Sequence, residues 1–393
     1  MAFLATRFHQ PVPRPNQVAR PRLIERLQAG LEQSHRLTLV SAPAGFGKTT
    51  LVSAWLNRSD HPVVWLSLDE ADNDPIHFLS YLIAAFQNAQ PDLGRMAQTL
   101  LQSPQMPPLN HLMTLLLNDL AVGDSPLVLV LDDYQVISAP PVHDLLTFFV
   151  EHQPPTVHLV LTTREDPPLP LPRLRARGQV TDIRERDLRF TPDEAAAFLN
   201  QTINLSLDPA VIAALEARTE GWVAGLQLAS LAVQENPDQA GAFVSAFTGD
   251  DRYVMAYLMA ELLERHPDAI RAFLRETALL DRLTASLCDA LTGRGDSQFM
   301  LEQLDASNLF VIPLDHRREW YRYHRLFAEF LRATLTPDER PRLHQRAAQW
   351  YEAQNLLEPA VQQTLASARL TGDYAALARL VTVAAEQTLS STN

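Results

Sequence analysis

The sequence predicts an α/β fold, a parallel sheet with helices on both faces, leading into a helical second half broken by one small hairpin. Three observations predict it. Near-continuous apolar runs alternate with amphipathic segments as far as Glu165, the pattern of strands covered on both faces. The first of these runs leads straight into the glycine-bearing loop APAGFGKTT and then into a helical segment. From Thr191 onward nearly every segment has helical spacing, with one exception at Asn308–His324.

The elements follow in order. RLIERLQAGL (Arg22–Leu31) is spaced as a helix, RLTLVSAP (Arg36–Pro43) as a buried strand, and TTLVSAWLNR as the helix after the loop. PVVWLSLD (Pro62–Asp69) is a second strand. PIHFLSYLIAAFQNA opens with Pro75 at a first helical position, where its missing N–H costs nothing. A helix over roughly Asn110–Leu120 precedes the strand SPLVLVLDDY (Ser125–Tyr134), which ends in two aspartates. PPVHDLLTFFVEH is helical and TVHLVLTTRE (Thr156–Glu165) is a further strand. The proline-rich DPPLPLPRL (Asp166–Leu174) marks a change of pattern. Thr191 followed three residues later by Glu194 is a capping box that starts the helical half. NLFVIPLDHRREWYRYH (Asn308–His324) predicts a short β-hairpin with a charged tip, followed by the helix RLFAEFLRATL. Helices leading into a small hairpin predict a winged-helix module. PRLHQRAAQWYEAQN and EPAVQQTLASARL then read as paired helices, the start of a helical repeat array. The expected boundaries are 1–190 for a P-loop nucleotide-binding domain, 191–270 for a helical lid, 271–335 for the winged helix and 336–393 for the first TPR-like repeats.

Composition narrows the functional classes. The 393 residues exceed one ordinary domain. At 46% hydrophobic and 20% charged the chain is globular. Its net charge of −13 argues against direct nucleic-acid binding, which needs clustered basic residues. The one cysteine, Cys288, cannot form an internal disulfide framework and sits in the helical stretch LTASLCDAL as a buried structural thiol. No apolar run approaches the ~18 residues of a membrane span. MAFLATRFHQPVPRPNQ has no apolar signal core. The expectation is a cytoplasmic protein with no membrane partner. The chain reaches Ser390-Ser391-Thr392-Asn393 without a cap, which predicts a fragment of something longer.

One residue concentrates the chemistry. Of 33 basic side chains a single one is lysine, Lys48, and the other 32 (33 minus that one) are arginine. A phosphate wrapped in backbone N–H groups has room for a compact ammonium and not for a broad guanidinium fork. Ala42, Pro43, Ala44, Gly45, Phe46, Gly47, Lys48, Thr49 and Thr50 fit a P-loop, with Ala42 where the first glycine is usual. The N–H groups of Gly45 to Thr49 are placed to cradle β- and γ-phosphates, helped by a partial charge of roughly +0.5 at the helix N-terminus. Lys48 would bridge those phosphates and Thr49 would ligate Mg²⁺. The bland alternative is a glycine-rich turn. In LVLVLDD, Asp132 is the candidate for holding Mg²⁺ and Asp133 for orienting or deprotonating the attacking water. Taken alone, both would read as solvated acids. In LVLTTR, Arg164 ends a strand where it could sense a γ-phosphate, or be an ordinary surface arginine.

This series resembles the STAND class of signal-transduction ATPases, and within it the regulator family of the maltose-regulon activator, the large ATP-dependent LuxR-type regulators. The likeness also rests on RPRLIERL, LRFTPDEAAAFL, TEGWVAGLQLA, FTGDDRYVMAYL and WYRYHRLF, and covers nearly the whole chain. It implies that Val18 to Arg22, including Arg20, contacts adenine and ribose. It implies that Gly221-Trp222-Val223 is a lid motif, with Val223 where the family usually has proline. It implies that His324 touches the ADP β-phosphate and locks a resting state; without the resemblance His324 reads as the core of an aromatic cluster. Trp222 and Trp320 read as packing residues. The family continues into sensor repeats and a DNA-binding C-terminal helix-turn-helix, neither of which lies in this sequence.

The expected function is therefore an ATP/ADP switch that binds Mg-ATP, hydrolyses it slowly and self-associates in the ATP state, as the core of a transcriptional regulator with an unknown inducer. DNA would be reached only through the absent helix-turn-helix. The alternatives are a stand-alone P-loop ATPase, marked by fast turnover without oligomer change, and a scaffold with structural nucleotide, which would not need Asp133.

Overall fold

The computed structural model describes residues 3–13, 16–122, 126–235, 247–260 and 266–391. Met1, Ala2, Arg14 and Pro15 of the N-terminal stretch, Ser125 at the head of a predicted strand, and Thr392-Asn393 lie outside the described residues. The chain divides into two compact units, Met1–Ile212 with Gly221–Ala224, and Ala213–Glu220 with Gly225–Asn393.

The first unit is built on α1 (Pro21–Glu32), β1 (Leu37–Ser41), α2 (Lys48–Leu56), β2 (Val63–Ser67), α3 (Pro75–Ala89), α4 (Arg95–Leu101), α5 (Leu109–Val122), β3 (Leu127–Asp132), α6 (Pro140–His152), β4 (Val157–Thr163), α7 (Leu171–Ala176) and β5 (Val180–Arg184). The five strands form one parallel sheet in the order β2-β3-β4-β1-β5. Every residue of β1, β3 and β4 is buried, which is why these strands read as continuous apolar runs: both faces are covered by helices. Leu37, Leu39, Leu129, Leu131, Leu159 and Leu161 of the three central strands belong to one core with Phe78 and Phe86 of α3 and Phe149 of α6. Each such side chain contributes roughly 1.5–3 kcal/mol on burial.

The register positions the site. Ser41 at the end of β1 pairs with Thr163 of β4, and Ser67 at the end of β2 pairs with Asp132 of β3. The C-terminal ends of four strands therefore lie at one edge of the sheet, where open α/β sheets bind ligands. β4 is inserted between β1 and β3, so the acid pair and the glycine loop face each other across the end of β4.

β5, α4 and α7 have no counterpart in the sequence reading. β5, sequence VTDIR, alternates buried and partly buried residues. An edge strand with Asp182 and Arg184 on its wetter positions never forms an apolar run. α4 buries only Ala97 and starts at Gly94 with φ 68°, so its periodicity is nearly silent. Ahead of α1, Arg7 is buried: its Nε donates to Ser67 O at 2.8 Å, it ion-pairs with the fully buried Asp72, and its guanidinium lies 4.1 Å from the Tyr81 ring centroid.

In the second unit the helices Asp268–Thr277, Ala285–Thr292 and Ser297–Ala306 precede β6 (Val311–Pro313) and β7 (Tyr321–Tyr323), an antiparallel pair extended by a bridge from Leu283 to Tyr321. The predicted hairpin is thus present. Asp315 organises its tip, accepting from the N–H groups of Arg317 at 2.8 Å and Trp320 at 2.8 Å. Cys288 is fully buried. The helix Arg325–Thr334 follows, then Glu339–Ala353 and Leu357–Thr371, tied by His344 Nδ1 and Gln363 Oε1 at 2.7 Å. Among the described residues no helix is long and apolar enough to cross a membrane.

Candidate nucleotide-binding site

The glycine loop earns its shape from two positions. Gly45 and Gly47 have φ of 79° and 75°, a region costly to any residue with a Cβ. A Cβ on Gly47 would meet nothing within 4 Å, so the requirement there is backbone conformation and not space. Ala42 has no positive φ, which explains why alanine serves where the motif usually has glycine. Its N–H donates to Thr163 O at 3.2 Å, continuing the β1–β4 pairing into the loop.

The other side of the loop is held by the stretch Gly221–Ala224, which lies in the same unit. Trp222 is wholly buried and its Nε1 donates to Ala44 O at 3.1 Å. The Ala224 N–H donates to Gly45 O at 3.0 Å. A trans peptide sets its C=O and N–H on opposite sides, so these bonds turn the N–H groups of Gly45 and Phe46 away from Trp222 and Ala224. Gly221 has φ 70°, and a Cβ there would meet Phe190 O at 2.5 Å. Val223 is the first residue of helix α8 (Val223–Glu235), a position where proline and valine are both tolerated.

Lys48 opens α2 and is only 7% exposed. Its Nζ donates to Ala42 O at 2.8 Å and Pro43 O at 3.0 Å. Burial lowers its pKa to about 8; the Arg164 charge adds to this, and Asp133 and Asp132 oppose it. Arg164 is thus near enough for its charge to be felt at Lys48. Thr49 Oγ1 donates to Asp132 Oδ1 at 2.8 Å, and Thr162 Oγ1 donates to that same oxygen. Burial pushes the Asp132 carboxyl up from its ordinary range, while the Thr162 and Thr49 bonds hold it back. Asp133 is exposed and adopts φ 62°, a conformation aspartate tolerates better than most residues. Its N–H donates to Thr162 Oγ1 at 3.0 Å. The three strand-end motifs are thus brought together. A hydroxyl and a carboxylate 2.8 Å apart beside a buried ammonium are a donor set that suits Mg²⁺ and a polyphosphate. Among the described residues no group of three or more His, Cys, Asp or Glu gathers into a metal cluster.

The remaining candidates are placed as follows. Val18 is partly buried. Arg20 is buried and donates to Leu188 O at 2.8 Å and Arg189 O at 3.0 Å, with its guanidinium 4.9 Å from the Phe190 ring centroid. Arg22 donates to Asp187 O at 2.8 Å and Glu194 Oε1 at 3.1 Å. Both guanidinium groups are thus engaged by the chain itself. Thr50 is exposed, and its carbonyl accepts from Gln17 Nε2 at 3.3 Å. In the second unit His324 is 1% exposed. Its Nε2 faces Thr219 O at 3.0 Å and its ring meets Phe310 edge-on at 5.5 Å. Next to it, Arg322 forks onto Glu220 with two contacts of 2.8 Å. Thr162, Gln135 and the contact from Trp222 to the loop escaped the sequence reading. LVLTTR carried Thr162 in plain view, but its role depends on β4 lying between β1 and β3.

Comparison with known proteins agrees with this architecture. The AAA ATPase domain family matches residues 17–162 and the MalT winged helix domain family matches residues 259–344. The HTH-type transcriptional regulator MalT of Klebsiella pneumoniae subsp. pneumoniae is 34% identical over 369 residues, covering 93% of this chain and 41% of the relative. The chain thus spans about two fifths of that relative's length. Among solved structures, the Walker-type ATPase PABY2304 of Pyrococcus abyssi superposes with a TM-score of 0.58 at 20% identity, over 82% of this chain and 98% of that one, a likeness of fold. The chain is thus similar to MalT over most of its own length, and a match to an AAA ATPase domain is followed by a match to a MalT winged helix domain in a single polypeptide.

Proposed function

We propose that this chain is an ATP/ADP-dependent switch of the STAND type, forming the regulatory core of a LuxR-type transcriptional regulator. The observation that carries it is the meeting of the sole lysine, the Thr49 hydroxyl and the Asp132 carboxylate at the end of a parallel sheet. The phosphates of a bound nucleotide would take over the Lys48 ammonium from the Ala42 and Pro43 carbonyls and accept from the loop N–H groups. Thr49 and Asp132 would hold Mg²⁺, which neutralises charge between β- and γ-phosphates when bound. Asp133 would orient or deprotonate the attacking water, and Arg164 would sense the γ-phosphate. Val18 to Arg22 would line the base and ribose, Val223 would belong to the lid, and His324 would latch the ADP state.

The regulatory reading draws on the relative's description as a transcriptional regulator. Such an output is a conformation, so turnover would be slow, and ATP and ADP need only differ in affinity for two states. The ATP state would self-associate in the cytoplasm under an unidentified inducer. The −13 charge favours DNA contact through a separate helix-turn-helix and not through this part. A stand-alone ATPase would turn over fast without changing its oligomeric state.

The test is Lys48→Ala, with calorimetric nucleotide titration and light scattering beside ATP or ADP. The expected result is loss of nucleotide binding by at least a hundredfold with an unchanged circular dichroism spectrum. Binding of wild-type strength by the variant would remove the site.

A further inference from the structure

Between the acid pair and Arg164 stands a side chain that none of the recognised motifs contains. Gln135 is the middle residue of the short 3₁₀ turn Tyr134–Val136 that follows β3. Its Oε1 accepts the Arg164 N–H at 3.0 Å, and its Nε2 donates to Asp133 Oδ1 at 2.9 Å. The assignment of the amide ends is forced by chemistry. A backbone N–H can only donate and a carboxylate only accepts, so the oxygen must face Arg164 and the nitrogen Asp133. One planar amide thus spans the ends of β3 and β4 and joins the acid assigned to the attacking water to the residue assigned to the γ-phosphate.

The other side of Asp133 is fixed as well. Its N–H is tied to Thr162, whose hydroxyl also donates to Asp132. Asp133 is therefore pinned at its backbone through β4 and at its carboxylate through Gln135. Without the second bond, an exposed aspartate on a positive-φ turn would sample its rotamers freely.

We propose that Gln135 is a positioning residue that registers the Asp133 carboxylate to the Arg164 end of β4, so that the water-directing acid and the γ-phosphate sensor move as one. This rests on the reading of the site given above. Glutamine suits the role because a neutral amide presents a donor to the acid and an acceptor to the backbone at once. Glutamate would keep the acceptor and set a second negative charge against Asp133.

Single-turnover ATP hydrolysis, measured beside ATP and ADP affinities on the full chain, tests it. Gln135→Ala is expected to slow hydrolysis about tenfold and leave both dissociation constants within about twofold. Gln135→Glu, which retains the Arg164 contact, is expected to slow it at least as much. In an Asp133→Asn background, Gln135→Ala should have almost no further effect, because the two residues act through one group. A tenfold loss that persists in that background, a loss confined to affinity, or a wild-type rate in Gln135→Ala would each overturn the proposal. Wild-type protein that neither binds nor hydrolyses ATP would remove the site reading itself, and Gln135 with it.

Discussion

Lys48 is the only side-chain amine of the sequence, and its burial gives it an unusual proton affinity. Its pKa falls from the ordinary lysine value to about 8. The sign is the reverse of a stabilising ion pair: the fold disfavours the ammonium, so this group makes the native state more stable as pH rises from about 8 toward 10.5. A bound phosphate restores the charge. ADP binding is therefore expected to take up close to one proton near pH 9 and almost none at pH 7. Titrations in buffers of different ionisation enthalpy measure this directly; heats that do not depend on the buffer at pH 9 would contradict it. At this scale the sequence was legible where chemistry is local along the chain. Lys48, Thr49 and Asp132 carry their meaning in their neighbours; the structure brings Thr49 and Asp132 within bonding distance, and the Asp132 charge acts on Lys48. Gln135 and Trp222 do not, because each acts on a group that only the folded chain brings near. Arg20 and Arg22 show a further limit. Their guanidinium groups are bonded to carbonyls at 187–189, partners that only the folded chain brings near.

At the level of elements, the strands with both faces covered were the plainest to read, and the edge strand β2 was read as well from its apolar VVWL. β1, β3 and β4 announce themselves by unbroken apolar runs. β5 does not, because Thr181, Asp182 and Arg184 interrupt its apolar residues. β4 carries a buried histidine within its apolar run. His158 is buried, with Nδ1 against His35 O at 2.7 Å and Nε2 against Thr38 Oγ1 at 2.8 Å. The carbonyl can only accept, so Nδ1 carries the proton and Nε2 accepts from the threonine. Burial lowers its pKa to about 4. In the unfolded chain histidine protonates near 6.5. The stability linked to the neutral ring is thus present above pH 6.5 and lost as pH falls through about 4, on the order of 3 kcal/mol. Denaturation of the wild type between pH 7 and 4 should show this fall, and His158→Gln should flatten it. An equally steep dependence in the variant would place the acid lability elsewhere.

Over the whole molecule the chain alternates between its two units around residue 220. Residues 213–220 belong to the second unit, 221–224 to the first, and 225 onward to the second again. Each stretch is bonded within its own unit. Thr219 and Glu220 are held by His324 and Arg322, while Trp222 and Ala224 are held by Ala44 and Gly45. Glu220 does this at φ 50°, strained for its type. Burial alone would raise its carboxyl, but the Arg322 fork and the His324 and Arg325 contacts hold it down at about 2. The stability it adds is full above about pH 4.5 and lost as pH falls toward 2. Glu220→Gln should therefore lower the melting temperature of the second unit at pH 7 and converge on the wild type as acid is added. A gap that stays constant down to pH 3 would show that the charge is not what matters. The order of modules was readable from the sequence; this crossing was not, because a unit boundary inside a continuous helical pattern leaves no mark in composition.

A chain of 393 residues with one lysine also carries its own spectroscopic label. Protein grown on isotope-enriched lysine would give a single amide resonance and a single ammonium or amine signal, both from the first residue of α2. Occupancy, exchange rate and protonation at the phosphate end of the site could then be followed by nuclear magnetic resonance, without mutation or attached probe, in a molecule otherwise too crowded to assign.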